Sequence, residues 1–323
     1  MIPAIKNLLA ATALALAAGT ALAQASQQYP THTVKLVVPY GPGSSPDSVG
    51  RIIAQQMQEA LGQTVIVSNV AGALANVGTA EVARAAPDGY TVLLTTNTPH
   101  AANVALFKTL PFDPVKDFAP IVRLITTSMV MLVRADFPAN NLKEFIAYAK
   151  TKPQGLNAGY GSAASILSIA KLRTAAGFKT LDVAYKGVPL AITDVLGGQV
   201  DFTFGDFAVS MPQIQGGKMK GLGVTSPTRT PLAPDLPAIA EMFPGYETRI
   251  WYGLVAPAGT PRAVVMKLHD VVSASLIRPE VKARLAGLGL EPAPMAPEEF
   301  AEFIKKEIVK WTKEVREAGI EPQ

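Results

Sequence analysis

Two hydrophobic periods alternate along the chain. Short β-branched runs closed by glycine, proline or aspartate are followed by longer stretches in which apolar residues return every three or four positions, as in alternating strands and amphipathic helices. The first unit shows the pattern most fully. Val34, Leu36, Val37 and Val38 predict a strand that Pro39 ends, and Tyr40-Gly41-Pro42-Gly43-Ser44-Ser45 predicts a tight turn. Ser45 stands at the N-cap, Pro46 at the first helical position and Asp47 in the first turn. Val49, Ile52, Ile53, Met57, Ala60 and Leu61 then share one helical face, and Gly62 closes it. Such a junction aims unpaired N–H groups and a positive dipole end at the space above the sheet, a natural seat for a carboxylate or phosphate.

Further units repeat the plan. Val65 to Val67 and Tyr90 to Thr95 predict two more strands, with a helix around Thr79 to Ala85 between them, and the third strand ends in the polar loop Thr96 to His100. Ile121 to Ile125 and Met129 to Val133 predict two strands joined by Thr126-Thr127-Ser128, where the chain is expected to cross into a second domain. There, strand Leu156 to Ala158 leads into loop Gly159 to Ser162, strand Val183 to Tyr185 into Lys186-Gly187, and strand Val200 to Phe204 into Gly205-Asp206. Five prolines punctuate Pro227 to Pro244, an extended linker, before strand Ile250 to Ala256 returns to the first sheet and three helices finish the chain. The expectation is an α/β protein with two lobes, two crossovers and a ligand cleft at the strand ends. Lobe 1 takes residues 24–124 and 250–323, and lobe 2 takes 125–249.

Composition narrows the function. Residues 1–23 carry a single lysine, an Ala/Leu-rich core and Ala21-Leu22-Ala23, which predicts a secretory signal peptide cleaved after Ala23 and a periplasmic location. Removing Lys6 takes the net charge from +4 to +3, and the remaining basic residues are scattered among acids without flanking aromatics, so nucleic-acid binding is not expected. The chain has no cysteine, which removes thiolate chemistry, disulfides and thiolate metal sites together.

The catalytic motifs fail in turn. Gly159-x-Gly161-x-x-Ala164 with Asp182 formally fits a dinucleotide fingerprint, but the acid does not clearly end the next strand, and a tight turn offering Ser162 and Ser165 is the better reading. There is no G-x-S-x-G, no H-x-x-x-H spacing, and Gly217-Lys218 lacks the following Ser or Thr of a P-loop. Of His32, His100 and His269, only His100 follows a cleft loop. Asp206 is open to three roles: ligand contact, helix cap or hinge. Asp47 is expected to stabilise its helix, since an acid there repels an anion at the same terminus. Tyr40, Tyr160 and Tyr185 are candidates for the cleft wall. No cofactor or metal is expected.

VKLVVPYGPGSSPDSVGR, ARAAPDGYTVLLTTNTPHAAN, LPFDPVKDFAPI, AYKGVPLAITDVLGGQVDFTF and WYGLVAPAGTP together resemble the Bug receptor family, the periplasmic solute-binding proteins of tripartite tricarboxylate transporters. The resemblance covers essentially the whole mature chain. It implies a type II-like periplasmic binding protein fold, a small carboxylate ligand held partly through water, a two-component membrane permease as transient partner, and a monomer. Carried over, the ligand contacts are Tyr40, Gly43, Ser44, Ser45 and Asp47 after the first strand, and Asn97 and Thr98 after the third. In the second lobe they are Gly161, Ser162, Ser165, Tyr185, Lys186, Gly187 and Asp206. Ser44-Ser45-Pro46 replaces the family's Gly-Gly followed by Thr or Ser, and Ser68 to Ala75 and Ser165-Ile166 also depart from its pattern. Two other functions fit the same cleft: an exported enzyme using His100 and Asp206 as acid and base, and a sensory receptor.

Overall fold

The computed structural model describes residues 29–322, so the predicted signal peptide lies outside the described residues. Strand β1 (Val34–Val38) pairs in parallel with β2 (Val65–Asn69) on one side and β3 (Thr91–Thr96) on the other. Helix α1 (Ser45–Leu61) joins β1 to β2, and α2 (Asn76–Ala83) joins β2 to β3. The helix start falls where proline and acid predict it, but Ser44, not Ser45, is the cap: its Oγ accepts from the Asp47 N–H, and Gly62 ends the helix at φ 66°. A π-helical turn, Thr98–Ala102, and the short α3 (Asn103–Leu106) follow β3.

The long strand β4 (Phe118–Arg134) is continuous, where the sequence predicts two strands and a join. Thr126-Thr127-Ser128 keeps extended geometry because its backbone pairs with β9 (Arg249–Pro257), in the register Thr126↔Trp251 to Ser128↔Arg249. From Met129 onward β4 exchanges that partner for β7 (Phe202–Asp206) and β8 (Met219–Val224). An eight-stranded path, β2-β1-β3-β9-β4-β7-β5-β6, results, with β5 (Leu156–Tyr160) and β6 (Thr180–Ala184) at its far end and β8 pairing with β4 off the path. The chain passes this exchange point again between Thr225 and Thr248. There the Thr225 hydroxyl accepts from Met129 N–H at 2.9 Å and donates to Thr248 C=O at 2.7 Å, tying the two crossings together.

Beyond the exchange, α4 (Leu142–Lys150), α5 (Ala163–Ala176), α6 (Val188–Leu196) and α7 (Phe207–Gln215) cover the second group of strands. Helices α8 (Arg262–Leu276), α9 (Pro279–Gly287) and α10 (Pro297–Glu317) finish the chain and pack on the first group. Two fully buried tryptophans fix α10: the Nε1 groups of Trp251 on β9 and Trp311 on α10 both donate to Glu307, at 2.9 and 3.1 Å. An unpredicted strand, β10 (Glu291–Met295), adds to β4 despite Pro292 and Pro294. It is an edge strand of broken register, the setting in which proline's missing N–H is tolerated. Among the described residues no helix is long and apolar enough to cross a membrane.

Candidate functional site

Carboxyl ends of β1, β3, β5 and β7 converge on one cavity, together with the first half of β9. It has a cavity volume of about 30 Å³ and is lined from the first strand group by Tyr40, Ser44, Ser45, Pro46, Thr96, Asn97, Thr98, Ile250 and Tyr252. The second group supplies Gly161, Ser162, Ala164, Val188, Pro189 and Asp206. Helices α1, α5, α6 and α7 all begin at this wall, so four sets of helix-start N–H groups face a space without any lining Lys, Arg or His.

On the first side, Tyr40 hydroxyl and Thr96 Oγ1 lie 2.6 Å apart, and burial pushes the tyrosine pKa up to about 12. Thr96 Oγ1 also accepts from Thr98 N–H at 3.1 Å, which folds the β3 loop back on its strand. Ser45 and Asn97 are buried, and neither Ser45 Oγ nor Asn97 Nδ2 has a hydrogen-bond partner. Buried polar groups are ordinarily satisfied, so two unpaired donors in one cavity wall suit a ligand that accepts hydrogen bonds.

On the second side, Gly161 sits so close to the next loop that a Cβ would meet Gly187 C at 2.2 Å and Val188 N at 2.3 Å. Only glycine permits this backbone-on-backbone contact. Ser162 caps α5 by accepting from Ser165 N–H, and Ser165 Oγ accepts from the N–H groups of Gly161 and Ser162 at 3.1 and 3.0 Å. Across the cleft, Ala163 N–H donates to Thr98 Oγ1 at 3.4 Å, and Tyr252 hydroxyl donates to Asp206 Oδ2 at 2.7 Å. Burial raises the Asp206 pKa above the usual carboxylate range against the opposing effect of that hydrogen bond. Burial likewise carries the Tyr252 pKa well above an ordinary tyrosine, with the charge of Asp206 adding to it.

Eight predicted contacts therefore line the cavity: Tyr40, Ser44, Ser45, Asn97, Thr98, Gly161, Ser162 and Asp206. Six lie outside the lining, each for a visible reason. Asp47 turns away to accept from Gly43 N–H at 3.0 Å, Asn69 Nδ2 at 2.9 Å and Arg51 Nε at 3.1 Å. Burial acts to raise its pKa, but these bonds outweigh it and hold the carboxyl below the ordinary value. Gly43 forms the other end of that bond, Ser165 serves its own turn, and Gly187 supports Gly161. Tyr185 donates to Asp194 at 2.7 Å, and Lys186 is exposed.

His100 also lies outside the lining. It is fully buried between Phe112 and Phe118 with Nδ1 2.6 Å from Thr95 Oγ1, so it does not face Asp206 as an acid–base partner. Desolvation lowers its pKa to about 3.

Sequence reasoning missed Tyr252 and Ile250. Both arrive on a strand some 150 residues downstream, and Tyr252 enters the site because it pairs with Thr96 at the end of β3. The polar tip of an aromatic in a returning strand is the only local signal.

Residues 49–320 match the family model described as the tripartite tricarboxylate transporter family receptor. Among solved structures, the periplasmic binding protein BugD is 37% identical, covering 91% of this chain and all of that one at TM-score 0.87. An R. palustris protein with adipate is 32% identical, with coverage of 91% and 100% and a TM-score of 0.89. MatC from Rhodopseudomonas palustris with bound malate is 34% identical, with coverage of 89% and 100% and a TM-score of 0.84. These likenesses carry the fold as well, the α/β architecture of periplasmic binding proteins. The chain belongs to the tripartite tricarboxylate transporter family of receptors, with the Bug proteins among its relatives.

Proposed function

We propose that this protein is an exported receptor that closes its cleft on a small carboxylate and delivers it to a two-component membrane permease. The observation that carries the reading is the pair of buried, unpartnered donors, Ser45 Oγ and Asn97 Nδ2, in a cavity fed by four helix starts. A carboxylate is acceptor-only and satisfies both donors at once. Neutral donors and helix dipoles are enough to hold it without a cationic side chain. The adipate and malate named with two relatives are small carboxylates.

The proposed lobes are residues 24–124 with 250–323, and 125–249; the exchange of β4 partners just past that boundary, at Ser128/Met129, supports a hinge at the exchange point. Closure follows from differential affinity: a ligand touching both sides binds the closed form better and shifts the equilibrium towards it. Export with cleavage after Ala23 and action as a monomer without catalysis complete the proposal.

The test is a thermal-shift screen of the mature protein against mono-, di- and tricarboxylates and amino acids, since a ligand specific to the folded state raises the melting temperature. At least one acid is expected to raise it in a concentration-dependent way, and Ser45→Ala is expected to weaken that acid's binding. A screen in which no carboxylate shifts the melting temperature refutes the proposal.

A further inference from the structure

The second wall of the cavity is the start of a helix that is anchored well away from the ligand. Gly161, Ser162 and Ala164 bring α5 into the lining. About 12 Å further along its axis, Lys171 leaves the same helix and reaches two other parts of the chain. Its Nζ donates to Glu314 Oε2 on α10 at 2.8 Å and to Glu247 C=O, on the second crossing between the strand groups, at 2.7 Å. The two charged side chains are only 22% and 19% exposed, so solvent and salt screen their attraction less than they do at the surface.

This ion pair stands apart from the others. Among the described residues it alone joins residues 125–249 to the rest of the chain, and the remaining pairs close within one side or the other. Neither member lines the cavity. Glu307, Trp311 and Glu314 form one stripe on α10, and Glu307 accepts from Trp251 on β9. Tyr252, the next residue of β9, points to the opposite face and into the cavity. The pair is therefore built behind β9 as seen from the ligand. One turn before Lys171, Ser168 C=O accepts from the Tyr246 hydroxyl at 2.7 Å, a neutral bond to the crossing. Glu314 is left as the hydrogen-bonding tie of α5 to α10 among the described residues.

Resting on the reading as a cleft-closing receptor, we infer that Lys171 is a positioning residue for ligand binding. By fastening α5 to α10 and to the second crossing it sets the angle between the two strand groups. Through the stiff helix it holds Gly161 and Ser162 at the distance from Ser45 and Asn97 that one ligand spans. Without the charged tie the start of α5 swings away, the ligand-free protein populates a more open form, and apparent affinity falls with the fraction of binding-competent molecules.

Lys171→Met keeps the apolar stem and removes the charge, Glu314→Gln keeps the shape of its partner, and Arg173→Met is the control. Arg173 pairs with Asp182 on the same helix, at similar burial, but within one side of the cleft. Small-angle scattering of the mature, ligand-free protein is expected to give a larger radius of gyration for Lys171→Met and Glu314→Gln than for wild type. Titration calorimetry with the acid ranked first by the thermal-shift screen is expected to show affinity lower by about fivefold or more. The double variant should match either single one within about twofold, because both remove the same bond. Arg173→Met is expected to lower the melting temperature while leaving radius and affinity at wild-type values, as a merely structural pair does. Should Lys171→Met fail to fold, Glu314→Gln carries the same comparison. Either readout unchanged in the folded variants overturns the inference and leaves the receptor reading intact. Binding of no carboxylate refutes the receptor reading, and the ligand-free radii then decide alone whether Lys171 holds the strand groups together.

Discussion

Gly161→Ala is the most direct probe of how the second wall of the cleft is made. The added methyl would stand 2.2 Å from Gly187 C and 2.3 Å from Val188 N, and both obstacles are backbone. No side chain can rotate away. Bringing the shorter contact to an ordinary 3.4 Å requires the two loops to part by about 1.2 Å, which moves the start of α6, and with it Val188 and Pro189, out of register with the first wall. Overpacking of this kind costs about 1–3 kcal/mol, which for a chain this size lowers the melting temperature by a few degrees, on the order of 2–4 °C per kcal/mol. Ligand affinity is expected to fall by about tenfold or more, because the wall moves as a unit. Gly41→Ala is the control: it lies in the first-strand turn with nothing within 4 Å of its added Cβ and no positive φ, and should stay within about 0.5 kcal/mol of wild type. Differential scanning calorimetry and titration with the acid ranked first by the thermal-shift screen give both readouts. Equal melting temperatures and affinities for the two variants would refute the close-approach argument.

Acidification should expose His100. Its folded pKa is depressed from 6.5 to about 3, so its contribution to stability is complete above about pH 6.5 and is lost as pH falls towards 3. Between pH 7 and 5 that loss is about 2 kcal/mol, and urea unfolding of His100→Gln should show a shallower decline over this interval; parallel declines count against it. Asp47→Asn should lower stability at neutral pH while leaving ligand affinity within about twofold, because the carboxylate binds Arg51, Asn69 and Gly43 and not the cavity. Its depressed pKa adds stability that is present above the unfolded value of 3.8 and disappears as pH falls through the folded one; a large affinity loss with unchanged stability would reverse its role. Tyr252→Phe removes a donor to Asp206 across the cleft and should populate a more open form, seen as a larger radius of gyration in solution scattering without ligand; an unchanged radius would show that this bond does not hold the cleft closed.

The strand–turn–helix units were legible because their signals are local. A β-branched run, a glycine-rich turn, a cap and a periodic face lie within thirty residues of one another, so Val34 to Gly62 announces its own geometry. Continuity of β4 was hidden because Thr126-Thr127-Ser128 is polar, with Thr126 and Thr127 half-buried. What keeps it extended is pairing with Ile250 and its neighbours, far along the chain. The strand at Glu291–Met295 was masked by its prolines for the same reason.

The division within the candidate site has a sharper cause. Each loop at the cleft carries more polar side chains than the cavity can receive, and a turn must first satisfy its own backbone. Asp47 is taken by Gly43 N–H and Asn69, Ser165 by Gly161 and Ser162 N–H, and Tyr185 by Asp194. Ser44 serves both ends, lining the cavity while capping α1. Ser45 differs from Ser44 by one position and no chemistry, yet its hydroxyl is the one left unpaired. Sequence spacing cannot make that distinction, because it depends on which neighbour has already claimed each N–H group. It follows that Ser44 gives its hydroxyl to the structure of the loop and Ser45 gives its own to the recognition surface. Loss of ligand affinity should therefore trace to Ser45→Ala, with Ser44→Ala felt first in stability.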